Sequence, residues 1–264
     1  MFSRVGHIDV SDNLSADRVS HGFATRMGGV SVIPQVSSMN LAVLMGDSHE
    51  NVEKNISILA SLAGLESFPV IYGSQVHSAD VLTVSTEDLK NSPDTRQLDG
   101  YVSDIPGIAL MVKSADCLPI LFCGTKDDGS PVIGAVHAGW KGTVMGIAAE
   151  AVRKMVALGA DLSSIRVAIG PSIHKCCFEV KEDFVDSVIS YTDKSFADRH
   201  IHYTDGRYFA SLQDMNTEIL ESAGILRERI DVCEICTAHN PHEYHSHRAT
   251  KGERGVGGAI IGIK

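Results

Sequence analysis

The sequence lacks most of what would assign it to a common functional class. Its 23 Lys and Arg stand against 33 Asp and Glu, a net charge of −10, and no basic cluster interrupts that deficit. A nucleic-acid-binding face needs a basic stripe, and an acidic protein is repelled by an anionic bilayer, so neither nucleic acid nor membrane is an expected partner. No run approaches the ~18 apolar residues of a membrane helix. The opening stretch MFSRVGHIDVSDNL has no apolar h-region, and the expected location is cytoplasmic. The six cysteines, at 117, 123, 176, 177, 233 and 236, are too few and too unevenly spread for the disulfide framework of a chain this long. In a reducing setting they serve as core filler, metal ligands or nucleophiles. No G-x-G-x-x-G follows a strand-like run and no P-loop occurs, which argues against dinucleotide and Walker-type nucleotide enzymes. Internal repeats, low-complexity stretches and long linkers are also missing.

What is present fits an ordinary globular protein. The chain has 264 residues, 44% apolar and 21% charged, ample for a sizeable core. Helical periodicity predicts helices from about Glu50 to Leu62, capped by Asp47 or Ser48, from about Val144 to Leu158 with Thr143 as cap, and from about Leu212 to Ala223, with one more after Glu179. Between them lie β-like runs at 69–72, 80–84, 108–112, 118–123, 131–138, 165–170 and the C-terminal GGAIIGI. Several are apolar throughout, so both faces of their sheets should be covered. The strands come in groups rather than in strict βαβ alternation. That predicts an α+β protein with mixed sheets and outer helices.

Three stretches share one design, an apolar run ending in a reactive side chain among small residues: IYGSQVHSAD with His77, IALMVKSADCLPILF with Asp116 and Cys117, and VIGAVHAGWKGT with His137 and the only tryptophan, Trp140. Loops at strand ends are where rigid scaffolds present functional groups. Cys117 and His137 alone suit a Cys–His nucleophile pair. With His77 they suit a Cys-His-His metal site, three protein ligands and one open position. Sequence spacing leaves both open. Cys123 reads as a small core hydrophobe. The helix start after Gly142 offers N–H groups for an anion.

The stretch CEICTAHNPHEYHSHR, 233–248, has two cysteines and four histidines, but its imidazoles follow a Cys-x2-Cys knuckle too closely for one metal to collect them. The expectation is that Cys233 and Cys236 end a strand, that no metal lies among Cys233, Cys236 and the 239–247 histidines, and that His247 and Arg248 line a pocket.

In order along the chain, HGFATRMGGVS (21–31), SQVHSAD (74–80), SADCLPILF (114–122), AVHAGWKGT (135–143), AIGPSIHKCCFEV (168–180) and SHR (246–248) resemble the YfiH/YlmD family, over nearly the whole chain. Members have been named polyphenol oxidases or laccase-domain proteins, and later purine nucleoside phosphorylases with adenosine deaminase activity. The resemblance implies a single domain over 1–264 with a four-layer α/β/β/α fold of mixed sheets, similar to the catalytic domain of cytotoxic necrotizing factor, a cysteine-dependent deamidase. It places the metal ligands and catalytic residues on His77, Cys117 and His137, with zinc as the ion and copper as the alternative. It puts pocket cations on Arg26, Lys141 and Arg248. A purine nucleoside and phosphate are the implied partners, and a monomer or homodimer the implied assembly. The competing functions are a copper-dependent phenol oxidase and a metal-free Cys–His amide hydrolase acting on cell-wall peptides. The chain departs from the family pattern at Lys141, where arginine is frequent, at Ala249, where a second basic residue is common, and in GERGVGG near the end.

Overall fold

A computed structural model describes residues 1–15, 18–91 and 94–264. Two six-stranded sheets dominate it. In the first, the strands lie in the order Phe2–Val5, Ile8–Ser11, Val19–Ala24, Gly257–Ile263, Ala109–Ser114, Val70–Ile71. In the second the order is Ile230–Val232, Arg166–Ile169, Leu118–Thr125, Pro131–Ala138, Gly100–Ser103, Val81–Thr83. Both are mixed. Val70–Ile71 pairs parallel with its neighbour in the first sheet, and so do Ile230–Val232 and Val81–Thr83 in the second; the other named pairs are antiparallel.

Side-chain alternation along these strands builds the layers. Leu118, Ile120 and Phe122 point into a core shared with the helices Ile147–Ala157, Glu182–Tyr191 and Leu212–Ser222, while Leu121 and Cys123 point the other way, into the core between the sheets. Ala259, Ile261 and Ile263 face that same inter-sheet core, and Ile260 faces the helix His49–Leu62. Three apolar cores thus separate four layers, helix, sheet, sheet and helices. Both faces of each central strand are covered, which is why these runs show no polar alternation. The inter-sheet layer is tightly closed: Leu110, Leu121, Ile133 and Ile261 are fully buried, and truncating one to alanine costs about 2–5 kcal/mol.

The helix boundaries follow local chemistry. Ser48 caps His49–Leu62 by accepting from the Asn51 N–H at 3.1 Å, and Asp47 accepts from Ser48 N–H and the Asn51 amide. Ser211 caps Leu212–Ser222 through the Asp214 N–H. The helix expected from Val144 to Leu158 is two helices, Trp140–Val144 and Ile147–Ala157, because Gly146 takes φ 82° between them. Thr143 is no cap: it is buried, and its hydroxyl accepts from the Asn216 amide. Two helices, Glu182–Tyr191 and Lys194–His200, follow Glu179 where one is expected. The strand before Cys233 stops at Val232. Among the described residues no helix is long and apolar enough to cross a membrane.

Candidate active site

The register of the second sheet brings Cys117 and His137 together. Leu118 pairs with Ala138 and Pro119 with His137, so Cys117 lies at the strand ends beside Gly139. His77 arrives from the loop before Val81–Thr83. Its ring stands edge-on to that of His137, centroids 4.9 Å apart, and its Nε2 lies 3.8 Å from Cys117 Sγ. Ligand atoms of the three residues all fall within 4.8 Å of one another. A Cβ on Gly139 would sit 2.5 Å from His77 Cδ2 and 3.4 Å from Cys117 Sγ; only glycine leaves room for this meeting. His77 and Asp116 both hold left-handed backbone, φ 63° and 89°. Such conformations cost about 1–3 kcal/mol each and persist where the surroundings enforce them.

What enforces His77 is Asp99, a buried carboxylate just ahead of the Gly100–Ser103 strand. It accepts from the backbone N–H groups of Val76 (3.0 Å), His77 (3.0 Å) and Ser78 (2.7 Å) and from the Ser78 hydroxyl. Its Oδ1 also lies 2.8 Å from His137 Nδ1. A carboxylate there keeps a proton on Nδ1 and aims Nε2 toward Cys117 and His77, the arrangement of metal-ligating histidines. Burial by itself pushes the Asp99 carboxyl up, but the bonds from His137, Ser78 and Val76 prevail and hold it at about 2. Burial likewise raises the Cys117 thiol, and His137 and His77 overcome this and bring it down to about 6. Against burial, Asp99 and Cys117 raise His137 to about 9. Near neutrality these shifts describe a Cys117 thiolate beside a protonated His137, whose Nε2 proton a bound metal would displace. A thiolate with two imidazoles, one fixed by a carboxylate, fits a zinc-type ion with one open position.

Two cavities meet at these residues. One, about 300 Å³, is lined by Trp140, Ile173, Phe178 and Leu212, with His247 and Arg248 at its side. The other, about 380 Å³, is the more polar of the two, with Ser74, Gln75, Lys113 and Ser114 in its lining. His77, Cys117 and Arg254 border both. Arg248 spends two donors on the Cys177 and Glu179 carbonyls, at 2.6 and 3.0 Å, and its backbone N–H donates to Asp116. Asp116 also accepts from the Thr237 hydroxyl. Arg26 lies elsewhere: its guanidinium donates to the Ser37 and Pro241 carbonyls, which tie two loops together. Lys141 is exposed, with its ammonium over the Trp140 ring at 5.6 Å, and lines neither cavity. The turn after Gly139 is already helical at Trp140, so the helix starts before Gly142.

Three contributors escape the sequence reading. Asp99 sits in an unremarkable QLDGY stretch, and only its backbone partners reveal it. Lys113 stands inside IALMVKSADCLPILF, where only Asp116 and Cys117 draw notice. Arg254, in GERGVGG, has a buried Nε with no hydrogen-bond partner, and its guanidinium borders both cavities; an arginine between glycines ahead of the last strand was the available signal. The Cys/His-rich stretch also resolves differently from its spacing. Cys233 is buried, and burial pushes it up to about 12. Cys236 and His239 meet Cys176 and Cys177 instead.

A two-sheet sandwich with a Cys-His-His donor set at its strand ends is a candidate metal-binding site. The family model described as multi-copper polyphenol oxidoreductase laccase matches residues 20–264. The chain belongs to that laccase-domain family, which contains the YfiH and YlmD proteins. It is 30% identical to purine nucleoside phosphorylase YlmD of Bacillus subtilis over 259 residues, 96% of this chain and 91% of that one. It is 31% identical to purine nucleoside phosphorylase LACC1 of Mus musculus over 245 residues, 90% of this chain but 54% of that protein, so it spans about half of that longer relative. The solved structure of YlmD from Geobacillus stearothermophilus superposes with a TM-score of 0.85 at 28% identity, covering 100% of this chain and 98% of that one.

Proposed function

We propose that the protein is a zinc-dependent purine nucleoside phosphorylase that cleaves adenosine, inosine, guanosine or S-methyl-5'-thioadenosine with phosphate to the base and ribose 1-phosphate, and that it also deaminates adenosine. The observation that carries this reading is the seam between the two cavities, where His77, Cys117 and His137 converge beside Arg254. His77, Cys117 and His137 would hold the ion. When bound, zinc supplies Lewis acidity, which serves phosphorolysis and also activates water toward the C6 position of adenine. Phenol oxidation by copper is the weaker reading: a laccase needs several copper ions on a histidine-rich ligand set, and this site offers one histidine-histidine-thiolate set.

The residues divide the remaining work. The apolar cavity, with Trp140 and Phe178, takes the flat purine. The polar cavity, with Lys113, Gln75 and Ser114, takes phosphate and ribose hydroxyls. Arg254 borders both, which makes its guanidinium the anion anchor; Arg248, braced by two carbonyls, closes the purine side. Asp99 acts through His137 and the His77 backbone and touches no substrate. Arg254→Gln should raise the KM for phosphate about tenfold, one charged hydrogen bond's worth, with metal content unchanged. An unchanged phosphate KM would remove Arg254 from this role.

One observation favours a second reading. Asp99, His137 and Cys117 also form an orienting carboxylate, a base and a low-lying thiol, the ordering of a cysteine hydrolase or deamidase. His77 separates the two readings: a metal needs it, and a nucleophile pair does not.

A further inference from the structure

We infer that Cys176, Cys177, Cys236 and His239 form a second metal site, a closed zinc site that braces one wall of the purine cavity. Ligand atoms of all four lie within 4.8 Å of one another, with Cys176 Sγ 3.6 Å from His239 Nδ1. Tetrahedral zinc with bonds near 2.3 Å needs ligand atoms about 3.8 Å apart. The Cys176–His239 edge already meets that spacing, and both residues are exposed and free to swing in. Three thiolates and an imidazole leave no open position, which marks a structural rather than a catalytic set. A bound cation would let three thiols this close ionise together.

The backbone is built to hold the donors. They come from two segments, with Cys176 and His239 63 positions apart. The segments are joined by a bridge between Ser172 and Cys236 and by the Thr237 N–H donating to the Ser172 carbonyl at 3.0 Å. The His174 N–H points at Cys236 Sγ, 3.4 Å away, the kind of donor that supports a metal-bound thiolate. Cys236 is buried while Cys176 is exposed, so the ion would sit at the surface, open to exchange and to chelators.

The location gives the site a task. The turn carrying Cys176 and Cys177 also carries Ile173 and Phe178, which line the purine cavity, and the Cys177 and Glu179 carbonyls that grip Arg248. The other segment carries Thr237, whose hydroxyl bonds Asp116 next to Cys117. A metal clip across the two fixes that wall and removes loop freedom. The active-site donor set shares none of these ligands, so each site can be lost alone.

Metal analysis of the reduced, zinc-equilibrated full-length protein tests this. Two zinc per chain are expected, with one lost in Cys177→Ser/Cys236→Ser and the other lost in His77→Ala/Cys117→Ala. Cobalt in the second site should show thiolate charge-transfer absorption about three times that of a one-thiolate site, in proportion to its thiolates. Wild-type protein gives a check that needs no variant: zinc should slow alkylation of Cys176, Cys177 and Cys236 at least tenfold, and chelator should restore it. A single zinc equivalent that disappears with His77→Ala/Cys117→Ala overturns the site. So does zinc-independent labelling of the three cysteines, or a Cys176–Cys177 or Cys177–Cys236 disulfide that forms in the presence of zinc. These readouts do not depend on which substrate the active site takes.

Discussion

Asp99→Asn is nearly isosteric, yet it should dismantle the active site. Oδ2 of Asp99 accepts from Val76 N–H, Ser78 N–H and the Ser78 hydroxyl, and Oδ1 serves His77 N–H and His137 Nδ1. An amide keeps one acceptor oxygen. Placed at Oδ2, where three donors converge, it leaves its NH2 facing His77 N–H and His137. The His77 N–H then has no acceptor, and His137 must accept at Nδ1 and carry its proton on Nε2. That tautomer has no lone pair for a metal. Two charge-assisted hydrogen bonds at about 1.5–3 kcal/mol each come to roughly 3–6 kcal/mol. At about 2 °C per kcal/mol for a chain this long, the melting temperature falls roughly 6–12 °C. Affinity for zinc falls about 100-fold. The assays are thermal unfolding of the metal-free protein and competition for zinc against a chromophoric chelator. A variant that melts within about 2 °C of wild type and binds zinc within about threefold would refute the argument that Asp99 sets the tautomer and the His77 backbone.

Two further outcomes concern pH. His21 and His245 are buried, and His21 Nε2 accepts from the Ser11 N–H, so it is neutral in the fold. Burial lowers His21 to about 4; burial, with the charges of Arg26 and Arg254, lowers His245 to about 3. Below about pH 6.5 the unfolded chain takes up protons that the folded chain refuses, so stability falls as pH drops, roughly 3 kcal/mol per histidine by pH 4. Urea midpoints from pH 7 to 4 should flatten in His21→Gln/His245→Gln by about one to two protons of slope; parallel curves would contradict the assignment. In metal-free, reduced protein, alkylation of Cys117 should rise with a midpoint near pH 6, well below the ordinary thiol range, and zinc should suppress it. A midpoint between 8 and 9, or fast labelling with zinc bound, would count against the ligand role and for the cysteine hydrolase.

Much of the fold was legible because its central strands are uniform apolar runs and its helices carry ordinary caps. The runs 118–123 and 131–138 emerge as strands one or two residues longer at most, and Ser48 and Ser211 cap where hydroxyl chemistry allows. The break at Gly146 was not legible, since the periodic residues on either side continue in phase. His77, Cys117 and His137 stood out because each ends an apolar run among small residues. Their meeting depends on register and on the clearance at Gly139, which only three dimensions supply. Arg26 was read from its motif, but its guanidinium is committed to loop carbonyls. Cys236 and His239 belong to a donor set whose other half lies in AIGPSIHKCCFEV, too far away for a spacing argument to reach.

In the proposed function a metal on His77, Cys117 and His137 is tied to phosphorolysis of a purine nucleoside. The most direct measurement is the product ratio from inosine with zinc-loaded enzyme, with and without phosphate. Hypoxanthine and ribose 1-phosphate are expected in equal amounts, only with phosphate, and no product from His77→Ala. Free ribose without phosphate, or turnover that survives His77→Ala with the metal gone, would contradict it.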